Sequence, residues 1–250
     1  MDIGPREATS PAFARAARWV QAEFEAAGYD VVRQPLRVPA GNSWGVDVPA
    51  GRTWNVIATP PDFDPSAPHR IVSAHLDTVP QAPGAEDDGS GIGVILELAR
   101  MTSLEPPATP VVFVAFAAEE PRGDGDLLHH FGSTAYVDRL APAEHRQIKG
   151  MAALDRVGVK APAVPVCTGG LGSTKVQRAL VRAGERAGVR TARCLNTGAD
   201  HWSFEKVGIP AARVGGVSYA AYHSAGDLPR VVSRAQLARS AAVVWQWITH

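Results

Sequence analysis

This sequence predicts a single three-layer α/β domain built on a largely parallel sheet, and three observations predict it. Apolar segments of strand length alternate with segments of helical period along the chain. At 250 residues the chain is long enough for one large α/β domain with a substantial core, so a second domain is not required. Clusters of carboxylate and imidazole residues fall where strands should end, the place where open α/β sheets gather their ligands.

Ser10 and Pro11 open a first helix whose Phe13, Ala16, Ala17, Val20 and Phe24 share one face, and Gly28 is placed to end it. A strand is expected over residues 29–38 and a long loop, rich in Gly and Pro, over 40–53. Residues 54–59 read as a second strand and 60–68 as a turn region. Residues 70–74 are a third strand, apolar enough to be central and buried on both faces. From Gly91 the pattern turns helical, with Ile92, Ile95, Leu96 and Ala99 on one side. Residues 111–117 form the most hydrophobic stretch, a core strand. A helix over 133–140, strands near 151–154 and 164–167, and a helix near 175–187 follow. Asp200-His201 opens a short helical stretch, residues 211–214 form a strand, and a helix over 234–248 closes the chain.

A composition of 45% apolar and 20% charged residues is that of an ordinary soluble globular protein. Lys+Arg and Asp+Glu are both 25, so no bulk charge steers the molecule to nucleic acid or to an anionic membrane. No apolar run approaches the roughly 18–20 residues of a membrane helix. Met1 to Ser10 lacks the basic-then-apolar pattern of a leader. The chain as given therefore reads as cytoplasmic, or as secreted if a leader has been removed. Cys167 and Cys194 make neither a disulfide framework nor a thiolate metal site. They read as buried or idle thiols rather than as a bridge, which only an oxidising compartment would favour.

The chemistry-bearing residues come in a definite order: His75-Leu76-Asp77, Asp87-Asp88-Gly89-Ser90-Gly91, Glu119-Glu120, Asp155, Asp200-His201 and Tyr222-His223-Ser224. Singly, each has an ordinary explanation. A His-Asp pair can serve a turn, Asp and Ser cap helices, adjacent acids are common on surface loops, and a lone Asp after a strand is usually a turn residue. Together they supply two imidazoles and a surplus of carboxylates at strand ends, which is what a hydrolase needs to hold two divalent metals and activate a water. Side chains leaving a strand in succession point to opposite sides, so of Glu119 and Glu120 one can face a metal and the other the substrate.

These residues resemble the zinc aminopeptidases of peptidase family M28 over nearly the whole chain. The resemblance rests on His75–Asp77, the Pro-Gly-Ala-x-Asp-Asp-Gly-Ser-Gly run of residues 83–91, Glu119-Glu120, Asp155, Asp200-His201 before residues 204–210, and Tyr222-His223-Ser224. It implies one catalytic domain over residues 1–250, with a mixed, mainly parallel eight-stranded sheet. It implies two Zn²⁺, replaceable by Co²⁺ or Mn²⁺, bridged by Asp87, with His75 and Asp155 completing one site and Glu120 and His223 the other. Glu119 would be the general base, Tyr222 the donor to the tetrahedral intermediate, and Asp77 and Asp200 supporting residues behind the ligands. With a shared hydroxide, the three ligand carboxylates would balance the charge of two zinc ions. The implied substrate is a peptide or small aminoacyl compound, with no nucleic-acid or membrane partner; the oligomeric state is left open.

This chain departs from the family pattern in two places. Residues 121–131 intervene before Gly132-Ser133 as an insertion that should line the substrate cleft, and its His129-His130 reads as an exposed polar pair. Gly198-Ala199 stand where some relatives place a substrate-binding arginine. The alternatives are a single-zinc acyltransferase of the glutaminyl-peptide cyclase type and a non-catalytic member that binds peptide or metal. Carboxypeptidase or deacylase relatives of the M20 kind would space the bridging Asp further from the His and add a domain.

Overall fold

The computed structural model of the protein describes residues 3–250. Met1 and Asp2, the start of the segment read for a leader, lie outside the described residues. In chain order the elements are α1 (Pro11–Ala26), β1 (Asp30–Val38), β2 (Gly41–Ser43), β3 (Val46–Val48), β4 (Gly51–Thr59), β5 (His69–His75), α2 (Gly89–Leu104) and β6 (Val111–Phe116). There follow α3 (Phe131–Val137), α4 (Pro142–His145), β7 (Ile148–Asp155), β8 (Val164–Thr168), α5 (Lys175–Arg186), β9 (Thr191–Leu195), α6 (His201–Lys206), β10 (Ala211–Gly215) and α7 (Arg234–Thr249).

The eight-stranded sheet has the order β1-β4-β6-β5-β7-β10-β8-β9, and β2-β3 form a separate ribbon. The four central strands β6, β5, β7 and β10 are parallel, while β1, β4 and β8 meet their inner neighbours antiparallel. Every residue of β6 is buried, as expected of a strand covered on both faces. Helices α1, α2, α5 and α7 pack on one side of the sheet around Phe24, Leu98, Leu180 and Val244. Helices α3 and α6 cover the other, where Tyr136 and Phe204 pack on Phe116.

Helix α1 forms as its sequence suggests. The Ser10 hydroxyl accepts the Phe13 N–H, and the buried residues are the five expected. Phe24 then stacks on Phe113 of β6 at 6.2 Å. Burying such a side chain contributes roughly 1.5–3 kcal/mol. Two expectations need correction. The segment 40–53 is not a loop throughout: it folds into the β2-β3 ribbon, and β4 begins at Gly51. Cys167 and Cys194 are not idle thiols but a disulfide, since β8 and β9 align them as direct partners with Cα atoms 4.3 Å apart. Strand β9 itself was not anticipated.

The chain leaves β5 toward β6 through α2 and returns through α3 to β7 on the other side of β5. The carboxyl ends of β5 and β7 therefore border a topological switch point, where such sheets open a crevice. His75 ends one of these strands and Asp155 the other.

Candidate metal centre

Asp87 lies at the middle of this crevice. One of its oxygens is 3.1 Å from His75 Nε2, and the other is 3.1 Å from His223 Nε2. His223 Nε2 also lies 3.4 Å from Glu120 Oε2. Three groups have donor atoms mutually within 4.8 Å: His75, Asp87 and Asp155; Asp87, Glu120 and His223; and His75, Glu119 and Glu120. All of these residues are buried. Glu119 and Glu120 do not leave an extended strand toward opposite sides, as expected from their spacing. Ala118 takes φ 53° after β6 ends, and the turn brings both carboxylates to the cluster.

A ring of buried polar groups fixes these side chains. The Asp77 carboxylate accepts the N–H groups of Glu119 and Glu120 at 3.0 and 3.1 Å. It is the Asp77 carbonyl that takes His75 Nδ1 at 3.1 Å, its carboxylate standing 3.8 Å away. This places the Nδ1 hydrogen on a main-chain acceptor and leaves Nε2 to face Asp87. Asp88 caps α2 through Gly91 N–H and also accepts the N–H groups of His75 and Arg156. Gly91 permits this: a Cβ there would sit 2.4 Å from the Asp88 carboxylate.

Sequence reasoning missed several of these supports. Asp227 accepts the N–H groups of Glu86 and Asp87. Buried Arg6 ties together the carbonyls of Leu76, Pro83 and Gly84. Where the segment before Asp200 offers no arginine, Arg213 of β10 reaches Asp155 at 3.0 Å, and Arg156 lies 3.4 Å from its other oxygen. Arg156 directly follows Asp155 and Asp227 stands four residues after His223, but no local pattern records their partners; Arg6 and Arg213 meet the motifs only in three dimensions. Asp200 is buried ahead of α6, but its side chain does not cap that helix.

The electrostatics are those of a crowded carboxylate site. Burial pushes the Glu120 carboxyl up to about 8, despite the His223 ring beside it. Burial likewise drives Asp200 up to about 7, with the Glu119 charge adding to it. For Glu119, burial acts upward but the nearby His75 and His130 rings prevail and hold it low. Burial lowers His223, yet Asp87 and Glu120 outweigh it and raise the imidazole to about 9. His75 is raised by Glu119 and Asp87 against a large burial effect.

The 121–131 segment returns on itself beside the cluster, closed by His130 N–H on the Glu119 carbonyl and Phe131 N–H on the Ala118 carbonyl. Arg122 fastens this loop to the carbonyls of Pro39 and Pro49 around the ribbon and to the Glu7 carboxylate. Between loop and ribbon opens a cavity of about 410 Å³ lined by Trp44, Pro121, Asp124 and His129. His129-His130 is not an exposed pair: His130 is buried, with Nε2 3.3 Å from Glu119 Oε1. Trp44 at the ribbon tip meets the His223 ring edge-on at 4.5 Å. Tyr222 stacks on His223 at 3.6 Å, and the Arg156 guanidinium lies 4.3 Å from the Tyr222 ring centre.

The donor set fits divalent metal. Glu120 Oε1 is buried without a hydrogen-bond partner among the described residues, a costly arrangement that a cation would relieve. Mixed carboxylate and imidazole donors suit zinc and related ions.

The model of peptidase family M28 matches residues 55–248. Aminopeptidase YwaD of Bacillus subtilis is 37% identical over 145 residues, which are 56% of this chain and 30% of that protein. The chain thus spans under a third of that relative's length. The solved structure of BSAP, a zinc aminopeptidase from Bacillus subtilis, superposes with a TM-score of 0.86 at 20% identity, covering 98% of this chain and 90% of that one. Fimbriiglobus ruber glutaminyl cyclase does so with a TM-score of 0.81 at 23% identity, covering 99% and 90%. At these identities the two structures bear on the fold, which they share with this chain.

Proposed function

The chain belongs to peptidase family M28, and from that premise we propose that it is a zinc-dependent aminopeptidase with a two-metal centre. Its substrates are peptides or small aminoacyl compounds, cleaved at the N-terminal amide bond. The described residues act as one catalytic domain, and the 121–131 insertion shapes its entrance. The observation that carries this reading is Asp87, whose two oxygens each face a different histidine at 3.1 Å. A single-zinc cyclase would use one of the two ligand sets and leave the other without a purpose.

In this reading His75, Asp87 and Asp155 would hold one metal, and Asp87, Glu120 and His223 would hold the other. Metals bound there would supply Lewis acidity and lower the pKa of a nearby water. Glu119 takes a proton from the attacking water and passes it to the leaving amine. The Tyr222 hydroxyl donates to the oxyanion as charge develops on the carbonyl oxygen. Asp77 keeps the Glu119-Glu120 backbone in place through the reaction. The carboxylate-rich wall attracts a free α-amine, which favours trimming from the N-terminus. The Cys167–Cys194 bridge suits an oxidising compartment.

Elemental mass spectrometry after dialysis against trace zinc tests the centre. Two equivalents per chain are expected, one would favour the cyclase chemistry, and none would favour a non-catalytic protein. The Glu119→Gln variant should keep both metals and lose turnover on aminoacyl substrates by about 10²–10⁴-fold. Normal turnover would remove Glu119 from its role.

A further inference from the structure

One buried imidazole beside the cluster has no part in the mechanism above. His130 is 3% exposed, and neither of its ring nitrogens has a hydrogen-bond partner among the described residues. The nearest carboxylate paired with it is Glu119, whose Oε1 lies 3.3 Å from His130 Nε2. The two residues are also joined through the main chain, His130 N–H donating to the Glu119 carbonyl at 3.0 Å. His130 takes φ 56°, a left-handed conformation uncommon for a residue with a Cβ. The end of the insertion is thus folded so that the ring comes back onto the Glu119 side chain. The other carboxylate oxygen, Oε2, points the opposite way and lies 3.9 Å from His75 Nε2, on the ligand side.

We propose that His130 is a positioning residue for the general base: its Nε2–H holds Glu119 Oε1 and so keeps Oε2 turned to the reacting water. The terminal torsion of a glutamate is broad and nearly two-fold, so an untethered carboxylate samples orientations that present no oxygen to the water. One donor on Oε1 removes that freedom. At 3.3 Å the contact is within reach but not aligned as a hydrogen bond, as catalytic contacts often are not before substrate arrives. No proton leaves His130; it orients the group that moves one. This role rests on Glu119 acting as the base.

The test compares His130→Leu, which fills the space without a donor, with His130→Gln, whose side-chain amide restores an N–H at similar reach. The zinc-loaded proteins are assayed for metal content, and for kcat and KM on the aminoacyl substrate that the wild type turns over. His130→Leu should retain its metals and lose about 10–100-fold in kcat with KM nearly unchanged, as for other residues that orient a catalytic group. His130→Gln should recover most of that loss. Wild-type kcat in His130→Leu, or an equal loss in both variants, overturns the proposal. Nitrogen NMR of histidine-labelled, zinc-loaded protein gives a readout independent of turnover. Nε2 of His130 should carry the hydrogen, with its signal shifted in Glu119→Gln; an unprotonated Nε2 also overturns the proposal. A wild type inactive on every aminoacyl substrate would instead defeat the aminopeptidase reading, and the NMR result would still decide the His130 contact.

Discussion

Asp77 shows how one short side chain can serve a whole site. Its carbonyl sets the His75 ring, and its carboxylate receives both glutamate N–H groups. The sequence placed Asp77 behind His75, which holds for its main chain, but gave no sign that its carboxylate belongs to a turn more than forty residues on. The proposed metal-holding residues were readable because their motifs follow one another in a recognisable order. Arg6, Arg213 and Asp227 were not, because each acts across a long stretch of chain and no local pattern records such a partner. Asp77→Asn replaces one acceptor with an NH₂ group facing a main-chain N–H. Metal affinity, measured by competition with a chelator, should weaken about 10–100-fold. Unaltered affinity would mean that the glutamate turn holds its shape without this carboxylate.

The elements divide by how much apolar pattern they carry. Strand β6 is apolar at every position, and α1 has a clean buried stripe, so both stood out. The ribbon strands β2 and β3 have three residues each, too few for an alternation to register. Strand β9 is exposed or half-exposed at every residue, so only its pairing with β8 makes it a strand. The cysteines face each other only once that pairing exists. The bridge closes a loop across a separation of 27 residues, which constrains the unfolded chain by about 3–4 kcal/mol in the loop-entropy account. Replacing both cysteines by serine should lower the denaturant midpoint and steepen the slope, because the denatured chain becomes less compact. An unshifted midpoint would argue that the bridge does not form in the protein.

Across the whole molecule, opposite charges cancel in number but not in place. The crevice concentrates buried carboxylates, and they draw protons onto its imidazoles when no metal is bound. His223 is raised by Asp87 and Glu120, and Glu120 is raised by burial, so this pair retains bound proton at neutral pH. Metal must displace those protons, so affinity should strengthen as pH rises toward 9 and weaken as it falls. Calorimetric titration with zinc at pH 7, in buffers of different ionisation heat, should report net proton release. Equal heats in all buffers would show that the ligands are already deprotonated. Periodicity alone points only to a largely parallel sheet, since antiparallel edges leave no mark in a single strand; the mixed eight-stranded sheet that is found is implied by the family resemblance.

The sheet is open at both ends, and an open end offers unpaired main-chain groups to any passing strand. At one end, β1 carries Pro35, whose carbonyl is held by the Arg139 side chain. The outward main-chain groups at this point are a ring nitrogen with no hydrogen and an oxygen already engaged. Arg33 and Arg37 flank it along the strand. A second copy of the chain trying to extend the sheet here would lose its ladder midway and meet positive charge on either side. The β1 edge is thereby guarded against edge-to-edge aggregation, and Pro35→Val together with Arg139→Ala would remove the guard while leaving the crevice untouched.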